Sequence, residues 1–452
     1  MFTIEQIIRE TGGTAKGGSL NVRVAGVSID SRTIRRGEAF VAIKGDTFDG
    51  NDFIVQAARK GAACIVASGP RPVSVPPAVA FVRVKDGVLA LAALARARRR
   101  AFDIPVIAVT GSNGKTTTKD MCSWVLGGRL PVLKTEGTRN NHIGVPLTLL
   151  ELEEAHRACV LELGTNHFGE IRERAATAEP TVGIITTIGP SHLEHFETLG
   201  GVMREKSSLL TCLKAPAIAV LNADDPFLAR TIIAKKRKPF IISIGINGPA
   251  DYRARGVTVR GGRTVFFLDG RRFELATPGV HNVYNALCAA ACARILGLGY
   301  GEIVSRLRDF SFPRGRLCLT RVGTTSFIDD SYNSSPASLS QALETLGRLK
   351  ARGRKILVMG DMLELGRRQE AFHRRAGEEA ARSCTAIITV GKLARLALAP
   401  FLKERPGADG CFACERAEEA KELLFKRLSL TKDDVVLVKG SRRMKLDKIF
   451  EA

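Results

Sequence analysis

At 452 residues the chain has room for roughly three domains of about 150 residues each, and 45% hydrophobic with 25% charged residues is globular usage that excludes disorder as its main state. Lys and Arg outnumber Asp and Glu by 68 to 46, a formal charge of +22, which points to anionic partners without choosing among nucleotides, nucleic acid and lipid headgroups. No run approaches the roughly 18 apolar residues of a membrane-spanning helix, so none is expected. The N-terminus carries Glu5 and Glu10 and lacks a basic start with an apolar stretch behind it, so the expectation is no secretory leader and a cytoplasmic address. Residues 1–82 mix short strands with an amphipathic helix and end in proline-rich loop chemistry around Pro70, Pro72, Pro76 and Pro77, which predicts a small N-terminal domain. From 83 to 312, β-branched runs at 106–109, 158–163, 182–188, 217–221 and 240–244 alternate with helical patterns, predicting a parallel sheet with crossover helices. Pro313-Arg314-Gly315-Arg316 breaks the pattern, and runs at 325–328, 355–358, 386–390 and 435–438 predict a further α/β domain over 313–452.

Cys64, Cys122, Cys159, Cys288 and Cys292 sit in apolar stretches and read as core residues, as reduced thiols of a cytosolic protein would. The pair Cys411 and Cys414 has no second Cys-x-x-Cys at zinc-ribbon spacing and reads as incidental. The basic clusters (Arg96, Arg98, Arg99 and Arg100; Lys235, Lys236, Arg237 and Lys238; Arg367 and Arg368; Arg442 and Arg443) are dispersed, with only 6% aromatics in the chain. They read as solvated faces, and no nucleic-acid partner is expected.

The strongest local signal is Thr110-Gly111-Ser112-Asn113-Gly114-Lys115-Thr116-Thr117, between a predicted strand and a helix running to about Leu126, where Gly127-Gly128 stops it. Its glycines let backbone N–H groups turn toward a phosphate chain, the helix N-terminus adds partial positive charge, Lys115 neutralises phosphate and Thr116 can reach magnesium. Val109 stands where the usual phosphate loop has its first glycine, so the motif rests on its strand-to-helix context. Glu162, at the end of an apolar strand and just before Gly164, offers a carboxylate at the sheet edge where ligands bind, of the kind magnesium needs. His192, beyond the strand run that ends near Ile188, is a second candidate ligand.

The ordered set of that loop, then Leu161-Glu162-Leu163-Gly164, Ser191-His192-Leu193-Glu194, Lys206, Leu221-Asn222-Ala223-Asp224 and His281-Asn282-Val283-Tyr284-Asn285, resembles the Mur ligases, which add amino acids to the peptide of the bacterial cell-wall precursor. Asp329-Asp330-Ser331-Tyr332-Asn333-Ser334-Ser335-Pro336, Gly360-Asp361-Met362-Leu363-Glu364-Leu365-Gly366 and Val438-Lys439-Gly440-Ser441-Arg442 resemble the family's dipeptide-adding members. The resemblance implies three α/β domains: a small one that holds the UDP end of the substrate, a central P-loop ATPase-like parallel-sheet domain, and a Rossmann-like C-terminal domain that closes over ATP and the incoming dipeptide. It implies the substrates ATP, UDP-N-acetylmuramoyl-tripeptide and D-alanyl-D-alanine, an acyl-phosphate intermediate, a monomer, and two magnesium ions. Thr116 and Glu162 would hold one ion, and His192 and a carbamylated Lys206 the other, because a lysine ammonium cannot itself bind a cation.

By the same resemblance Asn282, His281, Asn222 and Asp330 contact adenine and ribose, Arg316 lies at the hinge before the C-terminal domain, and Tyr332, Asn333, Lys439, Ser441 and Arg442 reach the site on closure. Ser31, Arg32 and Lys44, which can meet a pyrophosphate, fall in the UDP-binding segment, and Asn140 and Asn141 in the substrate loop. Thr138 stands where the family carries asparagine, and a hydroxyl cannot reproduce both the donor and the acceptor of an amide. Two rivals remain: a nucleic-acid-dependent P-loop ATPase, motivated by the charge, and a neighbouring ligase that adds a diamino acid or glutamate. An Asp-Asn-Pro-Arg motif, the mark of the diamino-acid-adding members, is absent from the C-terminal block.

Overall fold

The computed structural model describes residues 1–45, 47–234 and 239–451. The basic run Lys235, Lys236, Arg237 and Lys238 lies outside the described residues. Four sheets organise the described residues. The first has spatial order Thr14–Lys16, Ala80–Arg83, Cys64–Ala67, Ala39–Val41, Val27–Ser28, parallel except for its first strand. The helix Gly87–Arg100 that follows packs against both Ile4–Thr11 and the central helices Gly144–Leu150 and Glu170–Ala178, tying this sheet to the next.

The central sheet has seven parallel strands in the order Tyr252–Arg253, Phe240–Gly245, Ile218–Asn222, Val182–Ile185, Val106–Thr110, Ala158–Glu162, Val132–Lys134. Alternation along Val106–Thr110 shows why these segments are apolar throughout. Val106 and Ala108 enter a core with Leu94, Leu149 and Ile171 on one face, while Ile107 and Val109 enter another with Met121, Val283 and Leu287 on the other. A strand buried on both faces reads as a continuous hydrophobic run. From Val106–Thr110 the chain first goes to the edge strand Val132–Lys134 and back, then crosses to Val182–Ile185 on the other side. The order therefore reverses beside the phosphate loop, and such a reversal opens a crevice at the carboxyl ends of the strands.

One expectation is corrected here. Residues 83–312 are not a pure alternation of parallel strands and helices, because Arg255–Arg260, Arg263–Leu268 and Arg271–Leu275 form a separate antiparallel sheet. Its inward residues Phe266, Leu268, Phe273 and Leu275 complete the core above helix His281–Ile295. The turn Asp269-Gly270, a hairpin signal, and the alternation Val257-Thr258-Val259-Arg260 already carried this in the sequence.

The C-terminal sheet runs Cys318–Val322, Thr325–Asp330, Val435–Lys439, Lys355–Gly360, Ala386–Val390, Cys411–Cys414, with only the first strand antiparallel. It is again covered on both faces: Leu357 and Leu437 pack with Leu343 and Phe401, and Val358 and Val438 with Leu424 and Leu446. No helix among the described residues is long and apolar enough to cross a membrane. The five cysteines read as core are buried. Reading the arginine clusters as solvated faces fails at Arg99, which is 8% exposed. Its guanidinium donates to the carbonyls of Ala178, Phe102 and Ile104, closing the C-terminal end of its helix onto the sheet.

Candidate active site

A cavity of about 370 Å³ lies at the reversal point, walled by the central sheet on one side and the C-terminal domain on the other. Its floor is the loop from Ser112 to Thr117. Gly111 sits at φ +146° and Gly114 at φ +81°, where a Cβ would stand 1.9 Å from Thr186 Oγ1 and 2.6 Å from Asn285 Oδ1 respectively. Glycine is thus required twice, by conformation and by close approach. Helix Lys115–Leu126 begins immediately after, and its first N–H groups have no partner within the helix, so they face the cavity as anion donors. Lys115 Nζ donates to Gly111 O at 2.9 Å, and burial lowers its affinity for its proton while the carboxylate of Glu162 raises it.

Glu162 ends its strand 1% exposed. Asn140 Nδ2 donates to its Oε1 at 2.7 Å, and its buried Oε2 has no partner among the described residues. A desolvated carboxylate oxygen left unpaired is costly, and a hard cation with oxygen ligands would satisfy it. The site therefore fits magnesium. Thr116 Oγ1 lines the same cavity and accepts a hydrogen bond from Arg316 at 3.1 Å. His192 is there too, its Nδ1 2.6 Å from Glu364 Oε2 in the C-terminal domain. His192 and Glu364 both hold positive φ, 50° and 63°, strain that persists where surrounding structure imposes it. The His192 imidazole against it keeps the Glu364 carboxyl below its usual range.

On the far wall, Asn282 Oδ1 accepts from Asn285 while its buried Nδ2 has no partner among the described residues, so a donor waits for an acceptor such as a base nitrogen. His281 is held down to about 4 by burial and by the charge of Lys439, and is neutral near pH 7. Arg316 stacks 4.0 Å over the Tyr332 ring. Lys439 Nζ lies 2.5 Å from Asp330 Oδ2 and donates to Asn333 O at 3.0 Å, a buried pair at the domain seam. Ser441 Oγ accepts from Leu363 N. Arg442 and Arg443 also line the cavity, so this basic cluster, too, is more than a solvated face.

Not every candidate lines the cavity. Thr110 bonds Leu163 O through its hydroxyl, beneath the loop. Asn222 caps its own turn by accepting from Asp224 N, and Asn141 caps helix Gly144–Leu150 by accepting from Gly144 N. Lys206 is 1% exposed on helix Leu199–Thr211, outside the cavity lining but near enough to Lys115 to feel its charge. Burial first, and then that repulsion, drive its amine well toward the neutral form. Ser31 donates to Gln56, Arg32 pairs with Asp30 on the surface, and Lys44 is exposed, all in the N-terminal domain and outside this cavity. Asn285 was missed as a site residue, although its place three residues after Asn282 puts both amides on one helix face. It accepts from Thr118 and lies under Gly114.

Comparison with known proteins agrees across the chain. Three family models match: Mur ligase family, catalytic domain, over residues 23–99; Mur ligase middle domain over 109–293; and Mur ligase, glutamate ligase domain, over 315–442. The chain is similar to the UDP-N-acetylmuramoyl-tripeptide--D-alanyl-D-alanine ligase of Bacillus subtilis, 34% identical over 95% of this chain and 93% of that one. It is also similar to the ligase of the same name from Escherichia coli, 32% identical over 100% and 98%. Among solved structures, a MurF crystal structure from Acinetobacter baumannii superposes with TM-score 0.90 at 31% identity over 99% and 98%. MurF ligase from Thermotoga maritima in complex with ADP gives 0.83 at 28% identity over 95% and 96%.

Proposed function

This chain belongs to the Mur ligase family, and we infer that it is an ATP-dependent ligase that joins D-alanyl-D-alanine to UDP-N-acetylmuramoyl-tripeptide. The product is the UDP-pentapeptide precursor of peptidoglycan, with ADP and phosphate released. The observation that carries this reading is a single cavity holding a phosphate loop, a buried unpaired carboxylate oxygen and a buried unpaired amide donor, closed by cations of a second domain. These are the groups a nucleotide-dependent acyl activation needs.

The tripeptide carboxylate attacks the γ-phosphorus of ATP and the bond to ADP breaks. The neutral amine of the dipeptide then adds to the acyl carbon, and the tetrahedral intermediate expels phosphate as the amide forms. The N–H groups at the start of helix Lys115–Leu126 hold the phosphate chain, and Lys115 neutralises charge on the transferred group. Asn282 and His281 hold the base, and Asp330 completes the nucleoside end. Arg316, Tyr332, Asn333, Lys439 and Ser441 bring the second domain over the site and exclude water, which protects the acyl phosphate from hydrolysis. Phosphoryl transfer asks for this kind of positioning and charge stabilisation rather than covalent chemistry from the protein. Thr116 and Glu162 would hold one magnesium ion, which when bound neutralises phosphate oxygens. Burial, and then the charge of Lys115, lower the proton affinity of Lys206, and as a carbamate it would join His192 in holding a second ion.

We divide the chain at 82 and 312, with residues 1–82 holding the UDP end through Ser31, Arg32 and Lys44, 83–312 binding ATP, and 313–452 closing over ATP and the dipeptide. Asn140 and Asn141 lie in the segment that presents the tripeptide. We take the protein to act as a monomer, and ten free cysteines suit the cytoplasm.

The test is incubation with Mg-ATP, UDP-tripeptide and D-alanyl-D-alanine. Phosphate and UDP-pentapeptide should appear only with all three substrates. ATP hydrolysis indifferent to the dipeptide, or stimulated by nucleic acid, overturns the reading.

A further inference from the structure

Lys119 plays no part in the chemistry above, yet it is 1% exposed, among the most deeply buried long side chains of the protein. It lies one turn beyond Lys115 on the helix that begins at the phosphate loop. Its three donors meet three oxygens: Thr135 O at 2.8 Å, Gly137 O at 3.4 Å and Asp120 Oδ1 at 2.9 Å. Burying an ammonium is costly, and the cost is offset only when its donors are met in this way. The two carbonyls belong to the base of the segment that leads through Thr138 to Asn140.

Four further hydrogen bonds join that segment to the strand carrying Glu162 and to Gly164 just beyond it. Thr135, fully buried, accepts from Glu162 N through its hydroxyl at 3.1 Å and donates from its own N–H to Val160 O at 3.0 Å. Asn140 Nδ2 donates to Glu162 Oε1, the bond that leaves Oε2 turned away and unpaired. Gly164 N donates to Asn140 O at 2.9 Å, and a Cβ on Gly164 would stand 2.6 Å from Asn140 Oδ1. One ammonium thus ties the phosphate helix to the loop whose amide orients the cation-facing carboxylate.

We propose that Lys119 is a positioning residue, acting through the 135–140 loop and Asn140 on Glu162, which couples the phosphate helix to the loop that presents the peptide substrate. The proposal rests on the ligase reading for its substrates but not for its first measurement, which needs only nucleotide and magnesium. Lys119→Met keeps the apolar stem of the side chain to within one atom and removes the charge and all three donors. Lys119→Arg keeps the charge, and Lys119→Gln serves in place of the methionine variant if that chain does not fold.

ADP binding without magnesium should stay within about threefold of the parent protein, because the loop N–H groups are untouched. The enhancement of ADP binding by magnesium should fall at least tenfold, with recovery of part of it in Lys119→Arg. In turnover, KM for the UDP-tripeptide should rise about tenfold while KM for the dipeptide stays within twofold. Adding Lys119→Met to an Asn140→Ala background should cost little more, since both act on one carboxylate. Magnesium enhancement within twofold of the parent, or equal losses for every ligand, or full additivity with Asn140→Ala overturns the proposal. If the parent protein turns over no UDP-tripeptide but the magnesium result holds, the ligase reading fails and the role of Lys119 stands.

Discussion

Replacing Lys439 by methionine tests the electrostatics of the domain seam directly. Lys439 and Asp330 are 2% and 14% exposed and 2.5 Å apart, so the substitution leaves a carboxylate in a place from which water is largely excluded. Breaking a buried pair by removing one partner costs about 3–5 kcal/mol, and the carbonyl of Asn333 loses its 3.0 Å donor as well, worth about 1 kcal/mol. We expect a deficit of about 4 kcal/mol at pH 7. Burial already pushes the Asp330 carboxyl upward against the pull of Lys439, and without that pull it rises further. A carboxyl raised in the folded state takes up a proton on folding, so the deficit must shrink as pH falls toward the ordinary carboxylate range, by up to about 1.4 kcal/mol per pH unit. Urea unfolding followed by circular dichroism at pH 7 and pH 5 measures both quantities. Adding Asp330→Asn should restore more than half of the loss at pH 7, since the uncompensated charge is gone. A deficit below 1 kcal/mol, or one independent of pH and unrelieved by Asp330→Asn, refutes the reasoning.

The other expectations concern single atoms. Glu162→Gln keeps the volume but replaces the unpaired Oε2 with a neutral group; ADP binding without magnesium should change little, while the magnesium-dependent gain, read by titrating the ion at fixed nucleotide, should drop at least tenfold, about 1.4 kcal/mol. Asn282→Leu removes the unpaired Nδ2 donor, so ATP affinity should weaken by about 1 kcal/mol, and discrimination between ATP and GTP, measured by competition, should narrow. Asp434 is brought down to about 2, because hydrogen bonds from Arg354 and from the N–H groups of Thr431 and Arg354 outweigh the burial that would raise it. A depressed carboxyl contributes stability above its unfolded value and loses it as pH falls through its folded value, so about 2 kcal/mol should vanish between pH 4 and pH 2. Asp434→Asn should lie below the parent at pH 6 and meet it near pH 2; parallel curves would sink the assignment.

The phosphate loop was legible because its chemistry is local: two glycines, a lysine and a threonine between a strand and a helix need only neighbouring residues to make sense. Glu162 was legible for a similar reason, as the one charge at the end of an apolar run. The inner strands of the central and C-terminal sheets could be read since burial on two faces leaves no polar alternation to confuse them, and their ends moved by only a few residues, as at Val182–Ile185, whereas the short or half-exposed strands Val132–Lys134, Tyr252–Arg253, Cys318–Val322 and Cys411–Cys414 were not read. The antiparallel sheet at 255–275 was not read because its hairpins sit inside a long alternation of strand and helix patterns that by itself specifies crossovers.

Residue types and their order settled the family, the fold class and the nucleotide loop, since these depend on patterns within a few residues of one another. Partnership across long separations was left to the tertiary structure. Arg99 is a buried clamp on three carbonyls rather than a surface charge, Asn141 caps a helix while its neighbour Asn140 orients Glu162, and Lys119 is an anchor rather than a solvated helix lysine. In each case the side chain is long or polar enough to serve several purposes, and which of them it serves depends on which carbonyl or carboxylate the fold places within about 3 Å. That distance is set by how the sheets and helices pack, not by the residues on either side.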